Sequence, residues 1–301
     1  TRDGYGKALM ALGENKDIVV VDAGVADSTR TEWFEEKFPD RFFDMGISEQ
    51  DMVCTAAGLA TCGKIVFATS FASFLLGRTM DQINVSIAYS DSNVKLVGTH
   101  GGIAIGEDGP TAQAITDIAY TRAMPNMIVV APADAIEAEQ ATKALAEHKG
   151  PAYLRLGRPA TKTLFDDNYQ FKIGKAAVMK EGTDAVIFAH GIMVQEALEA
   201  AEMLEQNVAV VNVSTIKPLD RETIIKYAQQ TGNVITAEDH NVMGGLGSAV
   251  AEVLAEEKIS AVFERIGIKD AYAESGDQKA LFEKYGLDAK SIAETVKRII
   301  N

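Results

Sequence analysis

The sequence predicts an α/β protein with two domains. At 301 residues the chain is about twice the length of a typical domain. Short apolar runs alternate with amphipathic stretches, which is the order expected for strands and the helices that cover them. Residues 18–21 are apolar without alternation, as is typical of a strand in a parallel sheet that carries helices on both faces.

The elements follow from these patterns in chain order. In the first domain we predict strands at residues 18–22, 64–69, 94–98, 127–131 and 152–156, and helices at 48–61, 75–88 and 134–147. Residues 157–173 lose the periodicity and form the predicted linker. After it we predict strands at 184–188, 208–213, 233–237 and 261–266, and helices near 193–205, 220–230, 247–257 and 289–300. The expected architecture is a doubly wound, mostly parallel sheet at 1–165 and a smaller α/β domain at 171–301.

The net charge limits the classes of partner. Lys and Arg total 29 against 43 Asp and Glu, a formal net charge of −14, and no basic run is long enough to follow a phosphate backbone. We therefore expect neither nucleic acid nor membrane as a partner. Without an apolar run of membrane-spanning length or a signal peptide pattern, the expected location is cytoplasmic. Cys54 and Cys62 lie in an apolar, helix-like stretch and are expected to be reduced thiols of the core.

The first segment with candidate chemistry is 46–50, which reads Gly-Ile-Ser-Glu-Gln. Ser48 is a candidate N-cap, which puts Glu49 in the first turn of a helix. By itself, such a glutamate is explained by the helix dipole. A carboxylate there can also hydrogen-bond a ring nitrogen of the aminopyrimidine of thiamine diphosphate. That contact activates the cofactor, which supplies the carbon chemistry.

Two further segments fit the same cofactor and a sugar substrate. Phe71 and Phe74 have the helical spacing of core residues, but their faces can also pack a flat pyrimidine. Segment 99–111, Thr-His-Gly-Gly-Ile-Ala-Ile-Gly-Glu-Asp-Gly-Pro-Thr, has four glycines and two acids after a buried strand, which predicts a functional loop. Asp108 can accept hydrogen bonds from sugar hydroxyls or mark a surface turn. His100 can contact a ligand or be satisfied by the loop's own carbonyls.

Arginines are the candidate phosphate ligands. Arg155 and Arg158 follow the last strand of the first domain, where a planar guanidinium can bind phosphate in bidentate fashion. Arg2 and Ser28 offer further donors if the fold brings them close. The glycines of segment 244–247 precede an amphipathic helix. There we expect tight entry into the helix rather than a nucleotide site, because the full dinucleotide fingerprint is absent.

Together these segments resemble the C-terminal half of a transketolase, its pyrimidine-binding domain followed by its C-terminal domain, over essentially the whole chain. The family's Gly-Ile-Arg-Glu-His-type motif matches Gly-Ile-Ser-Glu-Gln, which implies that Glu49 activates thiamine diphosphate, and Gly-Glu-Asp-Gly-Pro-Thr at 106–111 matches in full. The resemblance implies that the second domain lies away from the chemistry. It further implies that Phe71 and Phe74 line the pyrimidine pocket, that Asp108 binds a substrate hydroxyl, and that the phosphate cradle consists of Arg2, Ser28, His100 and Arg158.

The sequence departs from the family pattern in three ways. Ala112 stands where the family usually has a histidine near the donor substrate, and Gly77 where a pyrimidine-packing tyrosine is common. A Gly-Asp-Gly segment with a downstream Asn pair, the family's metal and diphosphate site, is absent. We therefore expect no metal site in this chain, and Mg²⁺ or Ca²⁺ supplied through another subunit.

The expected protein is one subunit of a split transketolase that transfers a two-carbon ketol unit from a ketose phosphate to an aldose phosphate. Its partner is an N-terminal, diphosphate-binding subunit, and by family analogy the assembly is a heterotetramer. A truncated form of a full-length enzyme is the alternative origin. The rival functions are a deoxyxylulose phosphate synthase, a β subunit of a 2-oxoacid dehydrogenase, and a non-catalytic scaffold subunit.

Overall fold

The computed structural model describes residues 1–166 and 168–300. Its α-helices are α1 (Arg2–Leu12), α2 (Ala26–Thr29), α3 (Glu32–Lys37), α4 (Glu49–Thr61), α5 (Ala72–Gly77), α6 (Met80–Gln82), α7 (Asp117–Ala123), α8 (Ala135–Glu147), α9 (Met193–Glu202), α10 (Arg221–Thr231), α11 (Leu246–Glu256), α12 (Gln278–Tyr285) and α13 (Ala289–Ile300). Its strands are β1 (Ile18–Asp22), β2 (Phe42–Asp44), β3 (Ile65–Phe71), β4 (Val94–Thr99), β5 (Ile128–Val130), β6 (Ala152–Arg155), β7 (Ala177–Lys180), β8 (Ala185–Ala189), β9 (Val208–Asn212), β10 (Thr215–Lys217), β11 (Asn233–Asn241) and β12 (Val262–Ile268). Two segments, Pro39–Arg41 and Ile103–Asp108, are 3₁₀-helical, and Ile83–Tyr89 is a π-helix.

Seven strands form the first sheet, in the order β10-β5-β6-β4-β3-β1-β2. Every neighbouring pair is parallel except β10 with β5. The register sets Phe71 beside Thr99 and Gly98 beside Arg155, so the carboxyl ends of β3, β4 and β6 share one edge. Ligand sites of α/β proteins lie at this edge.

Five strands form the second sheet, in the order β12-β11-β8-β9-β7, and only β7 runs antiparallel to its neighbour. Two mostly parallel sheets confirm the predicted α/β class. One strand departs from the expected division of the chain. β10 follows the predicted linker, yet it pairs with β5 of the first sheet. The domain boundaries at 165 and 171 stay a prediction.

The predicted helix 75–88 is divided into shorter pieces. α5 ends at Gly77, and Thr79, with φ −127° and ψ 19°, precedes α6, which continues into the π-helix. The Thr79 hydroxyl donates to the carbonyl of Leu75, which satisfies a carbonyl of the last turn of α5. None of the helices described in residues 1–166 and 168–300 is long and apolar enough to cross a membrane.

The expectation that both cysteines belong to the core is wrong. Cys54 and Cys62 are exposed. The buried face of α4 is made by Met52, Val53 and Ala56, so Cys54 points to the other side of the helix.

Candidate active site

Glu49 is the first residue of α4 and its carboxylate is buried, with 4% of the side chain exposed. The chain reaches it from β2 through Met45, whose amide donates to the Asp22 carbonyl at 2.8 Å. The predicted side-chain cap is absent. Ser48 stands at the N-cap position, but its hydroxyl donates to the Met45 carbonyl at 3.2 Å instead of accepting a helix amide. Glu49 is therefore an acid held at a helix start by the fold around it.

Arg78 is the ionic partner of Glu49. Its Nη1 lies 2.9 Å from Oε1 and 3.0 Å from Oε2 of the carboxylate, and the arginine side chain is 49% exposed. The same guanidinium lies over the Phe74 ring, 4.4 Å from its centroid. Sequence reasoning missed this arginine because it is 29 residues from Glu49, and no local pattern joins the two.

The aromatic residues form a short stack at the end of β3. The rings of Phe71 and Phe74 are 6.1 Å apart at 18°, and Phe71 stacks on the imidazole of His100 at 3.8 Å and 28°. His100 Nδ1 is 2.8 Å from the Thr99 hydroxyl, so its partner is this side chain and not a carbonyl of the loop. Phe71 and Phe74 are only partly buried, which leaves aromatic surface beside Glu49 and Arg78.

The glycine-rich loop is fixed by a residue of the second sheet. Asp239 of β11 is buried and accepts hydrogen bonds from the amides of Ile103 (2.8 Å) and Ala104 (3.2 Å). Gly102 has φ +80°, and a Cβ there would lie 2.0 Å from the Asp239 carboxylate. Glycine is therefore required at this position for both conformation and space.

Other contacts from the second domain hold the same loop. The Gln113 amide donates to the Glu274 carbonyl at 3.0 Å, and the Ser275 hydroxyl donates to the Glu107 carbonyl at 2.5 Å. The second domain therefore supports the loop that bears Asp108. That this domain lies away from the chemistry stays a prediction. Asp108 itself is exposed.

The proposed phosphate ligands lie close together. Arg2 donates through Nη1 to the Ser28 carbonyl (2.5 Å) and through Nη2 to the Arg158 carbonyl (2.7 Å). Arg158 Nη1 donates to the Ile105 carbonyl and lies 3.2 Å from a Glu107 carboxylate oxygen.

His100 lies in the field of these arginines. Burial, followed by the charges of Arg2, Arg158 and Arg30, lowers its pKa to about 3. His100 is therefore neutral at pH 7, and the positive charge of the cluster belongs to the arginines. Arg30 was not foreseen from the sequence. Its side chain is held by Asp3, with Nε 2.9 Å from a carboxylate oxygen.

Arg155, the last residue of β6, is not free to bind phosphate. Its Nε lies 2.7 Å from Asp117, and its Nη2 donates to the carbonyls of Ala114 and Asp239. Both members of the pair are buried. Burial opposes the charge of Asp117, but Arg155 and His240 outweigh it and hold the pKa of this carboxyl below its usual value. The pair joins the first sheet to β11.

The glycine cluster 244–247 surrounds a carboxyl group of the protein itself. The two oxygens of Glu238 accept the amides of Leu246 and Gly247, each at 2.8 Å, at the start of α11. A Cβ at Gly245 would lie 1.9 Å from this carboxylate. The glycines therefore permit tight helix entry, as predicted, and Glu238 fills the position that an anionic ligand would take.

Comparison with known proteins identifies the family. Residues 1–163 match the transketolase pyrimidine binding domain, and residues 174–292 match the transketolase C-terminal domain. The chain is 45% identical to a putative transketolase C-terminal section of Methanocaldococcus jannaschii, over 98% of this chain and 94% of that protein. It is 38% identical to an apulose-4-phosphate transketolase subunit of Phocaeicola vulgatus, over 99% of this chain and 97% of the relative.

A solved structure of a split-gene transketolase, described as an inactive β4 tetramer, is 46% identical and superimposes with a TM-score of 0.90 over 99% of this chain and 97% of that one. The chain belongs to the transketolase family. The resemblance read from the motifs is thus confirmed, and so are the two fold types. Transketolase-family domains use thiamine diphosphate, so Glu49, Phe71 and Phe74 are the residues whose fit to its aminopyrimidine matters.

The candidate site has groups that fit an aminopyrimidine. Glu49 offers a buried carboxylate, and Phe71 and Phe74 offer partly exposed ring faces beside it. At Gly77 a Cβ would meet no atom within 4 Å, and the cavity of about 220 Å³ that borders this residue is not lined by Glu49, Phe71 or Phe74. The larger cavity, of about 630 Å³ near Arg122, has none of the candidate residues in its lining. Across the described part of the chain, no group of three or more His, Cys, Asp or Glu side chains is arranged to hold a metal ion.

Proposed function

We propose that this chain is a subunit of a split transketolase that transfers a two-carbon ketol unit from a ketose phosphate to an aldose phosphate. The observation that carries the proposal is the buried Glu49 carboxylate beside a partly exposed aromatic surface, at the strand edge where the arginine cluster also lies. Relatives of matching length, one of them named a subunit, support a separate chain for the diphosphate and its Mg²⁺ or Ca²⁺.

Thiamine diphosphate, when bound, supplies the carbon chemistry. In the proposal, Glu49 would share a proton with the pyrimidine ring nitrogen, and Phe71 and Phe74 would pack against the ring. Because Glu49 is buried, water does not compete for this proton. Asp108, exposed on the glycine loop, is assigned to a substrate hydroxyl.

Arg2, Ser28, His100 and Arg158 are assigned to the substrate phosphate. The two arginines are anchored by backbone carbonyls and bring positive charge into a protein of net charge −14. Neutral His100 can add a hydrogen bond but not charge. Phosphate recognition therefore depends on the guanidinium groups.

The first test uses the complex reconstituted with an N-terminal, diphosphate-binding subunit. Glu49→Gln keeps the size of the side chain but cannot take up the proton, so we expect the ketol transfer rate to fall at least about 100-fold while the complex still assembles. Glu49→Ala should behave alike. Glu35→Ala, at an exposed glutamate of α3, is the control and should keep the parent rate. Near-parent turnover by Glu49→Gln would refute the assignment.

The second test addresses the phosphate ligands. Arg158→Ala should raise KM about 10- to 100-fold for phosphorylated sugars, as expected for loss of a charge-assisted hydrogen bond of about 1.5–3 kcal/mol. With unphosphorylated sugars KM should barely change. Equal effects on both substrate classes would contradict the cradle.

Rival functions are separated by substrate. Turnover of pyruvate without ketol transfer would favour a deoxyxylulose phosphate synthase or a 2-oxoacid dehydrogenase β subunit. A complex that assembles but neither binds thiamine diphosphate nor turns over any of these substrates would favour the scaffold function.

A further inference from the structure

Arg78 contacts both groups that the proposed function assigns to the pyrimidine. Its Nη1 is within hydrogen-bond distance of both Glu49 oxygens, at 2.9 and 3.0 Å. Its guanidinium carbon is 4.4 Å from the centroid of Phe74. A pyrimidine that packs on Phe74 and bonds to Glu49 needs the same carboxylate and the same ring face.

The arginine backbone is fixed while its side chain has room to move. The Gln50 amide donates to the Arg78 carbonyl at 2.9 Å, which ties this residue to α4 beside Glu49. The side chain is 49% exposed. The guanidinium can therefore leave Glu49 by rotating into solvent, without movement of the backbone.

A guanidinium and an aminopyrimidine share the relevant chemistry. Both are flat and both stack on aromatic rings. Both also meet a carboxyl group in their own plane: the guanidinium donates N–H groups to it, and the pyrimidine ring nitrogen shares a proton with it. A buried carboxylate without a cofactor is costly unless it is paired, and Arg78 supplies that pairing.

We propose that Arg78 is a positioning residue that takes the place of the pyrimidine in the cofactor-free subunit and is displaced from Glu49 when thiamine diphosphate binds. The inference rests on the proposed function, since it requires the pyrimidine to contact Glu49 and Phe74. It implies that the cofactor must break an existing ion pair, so Arg78 weakens cofactor binding and protects Glu49 until the site is complete.

The test measures the Kd of thiamine diphosphate, with Mg²⁺, for the reconstituted complex by isothermal titration calorimetry. Arg78→Ala should lower this Kd about three- to tenfold, while kcat at saturating cofactor changes less than about twofold. Arg78→Lys keeps a cation but not the planar guanidinium. Its Kd for thiamine diphosphate should lie between those of the parent complex and of Arg78→Ala. Arg221→Gln removes an arginine that pairs with Glu256 and Glu257 and serves as the control with unchanged Kd.

The outcomes separate the two proposals. A purely structural role for Arg78 predicts a lower Tm and an unchanged or higher Kd in Arg78→Ala, and that result would overturn the inference while an active parent complex leaves the proposed function intact. If Arg78→Ala does not fold, the Kd of Arg78→Lys decides: a value below that of the parent supports the inference, and an unchanged or higher value overturns it. A parent complex that binds no thiamine diphosphate would overturn both.

Discussion

Asp239→Asn tests whether the second domain fixes the glycine-rich loop. The Asp239 carboxylate accepts the amides of Ile103 (2.8 Å) and Ala104 (3.2 Å) and fills the space that Gly102 leaves by having no Cβ. Asparagine has nearly the same shape but only one acceptor oxygen. Its amide nitrogen would face a second donor, so one of the two loop amides must lose its partner.

The size of the effect follows from these two bonds. A hydrogen bond to a charged acceptor contributes about 1.5–3 kcal/mol, so the pair contributes about 3–6 kcal/mol. Burial raises the pKa of Asp239, which means that holding the charged form has a desolvation cost that the neutral amide avoids. With one bond lost and that cost removed, we expect the loop to lose about 2 kcal/mol.

Native-state hydrogen exchange of the free chain measures this directly. A loss of about 2 kcal/mol corresponds to about 30-fold faster exchange at the amides of Ile103 and Ala104. Asp108→Asn, at an exposed acid of the same loop, is the matched control and should leave both rates unchanged. Unchanged exchange at both amides in Asp239→Asn would show that the second domain does not hold the loop.

Two further predictions concern stability. Burial raises the pKa of Glu238 from 4.5 to about 7, so this group contributes stability that is fully present below pH 4.5 and is lost as the pH rises through 7. The full loss is about 3 kcal/mol. Urea denaturation at pH 5.5 and 8 should show a smaller pH dependence in Glu238→Gln than in the parent, and equal slopes would contradict the pKa. Gly77→Ala should raise the free energy of unfolding by about 0.5–1 kcal/mol, because the added methyl meets no atom within 4 Å and the helix loses a flexible residue. The contrast is Gly98→Ala, whose methyl would lie 2.6 Å from the Tyr153 hydroxyl and should destabilise.

The elements that the sequence predicted best are those with the strongest periodicity. β1 and α13 have the predicted bounds, since β1 is an apolar run of four residues that ends in Asp22, and α13 buries Ala289, Ile292, Ala293 and Val296 at helical spacing. Strands of a parallel sheet need apolar residues on both faces, so a continuous apolar run within the strand's own sequence is enough to predict them.

α1 was missed because its sequence contains Gly4 and Gly6, which lower helix propensity. The structure supplies the reason for both. A Cβ at Gly4 would lie 2.0 Å from the Ala135 carbonyl oxygen of α8, and one at Gly6 would lie 2.6 Å from the Trp33 ring. These glycines allow close packing between helices, a tertiary requirement that no local pattern reveals.

The candidate site also contains two kinds of residue: those that a short motif predicts and those whose role depends on distant contacts. The candidate residues of the first domain were predicted from the chain itself, because they lie in short motifs near strand ends and helix starts: Glu49 opens α4, Phe71 ends β3 and His100 follows β4. Arg78, Arg30 and Asp239 were not, because their roles depend on contacts across the fold. Asp239, for example, binds an amide 136 residues away. Charged residues with distant partners leave no periodic signal, so only coordinates reveal them.

These contacts also show why the two sheets are one structural unit at the site. β10 closes the edge of the first sheet beside β5, Arg155 reaches the Asp239 carbonyl, and the Asp239 side chain holds the loop that follows β4. The residues assigned to the sugar phosphate thus depend on a buried network that crosses from one sheet to the other. The second domain therefore holds the glycine-rich loop, whereas the residues that the proposal assigns to the cofactor all lie in the first domain.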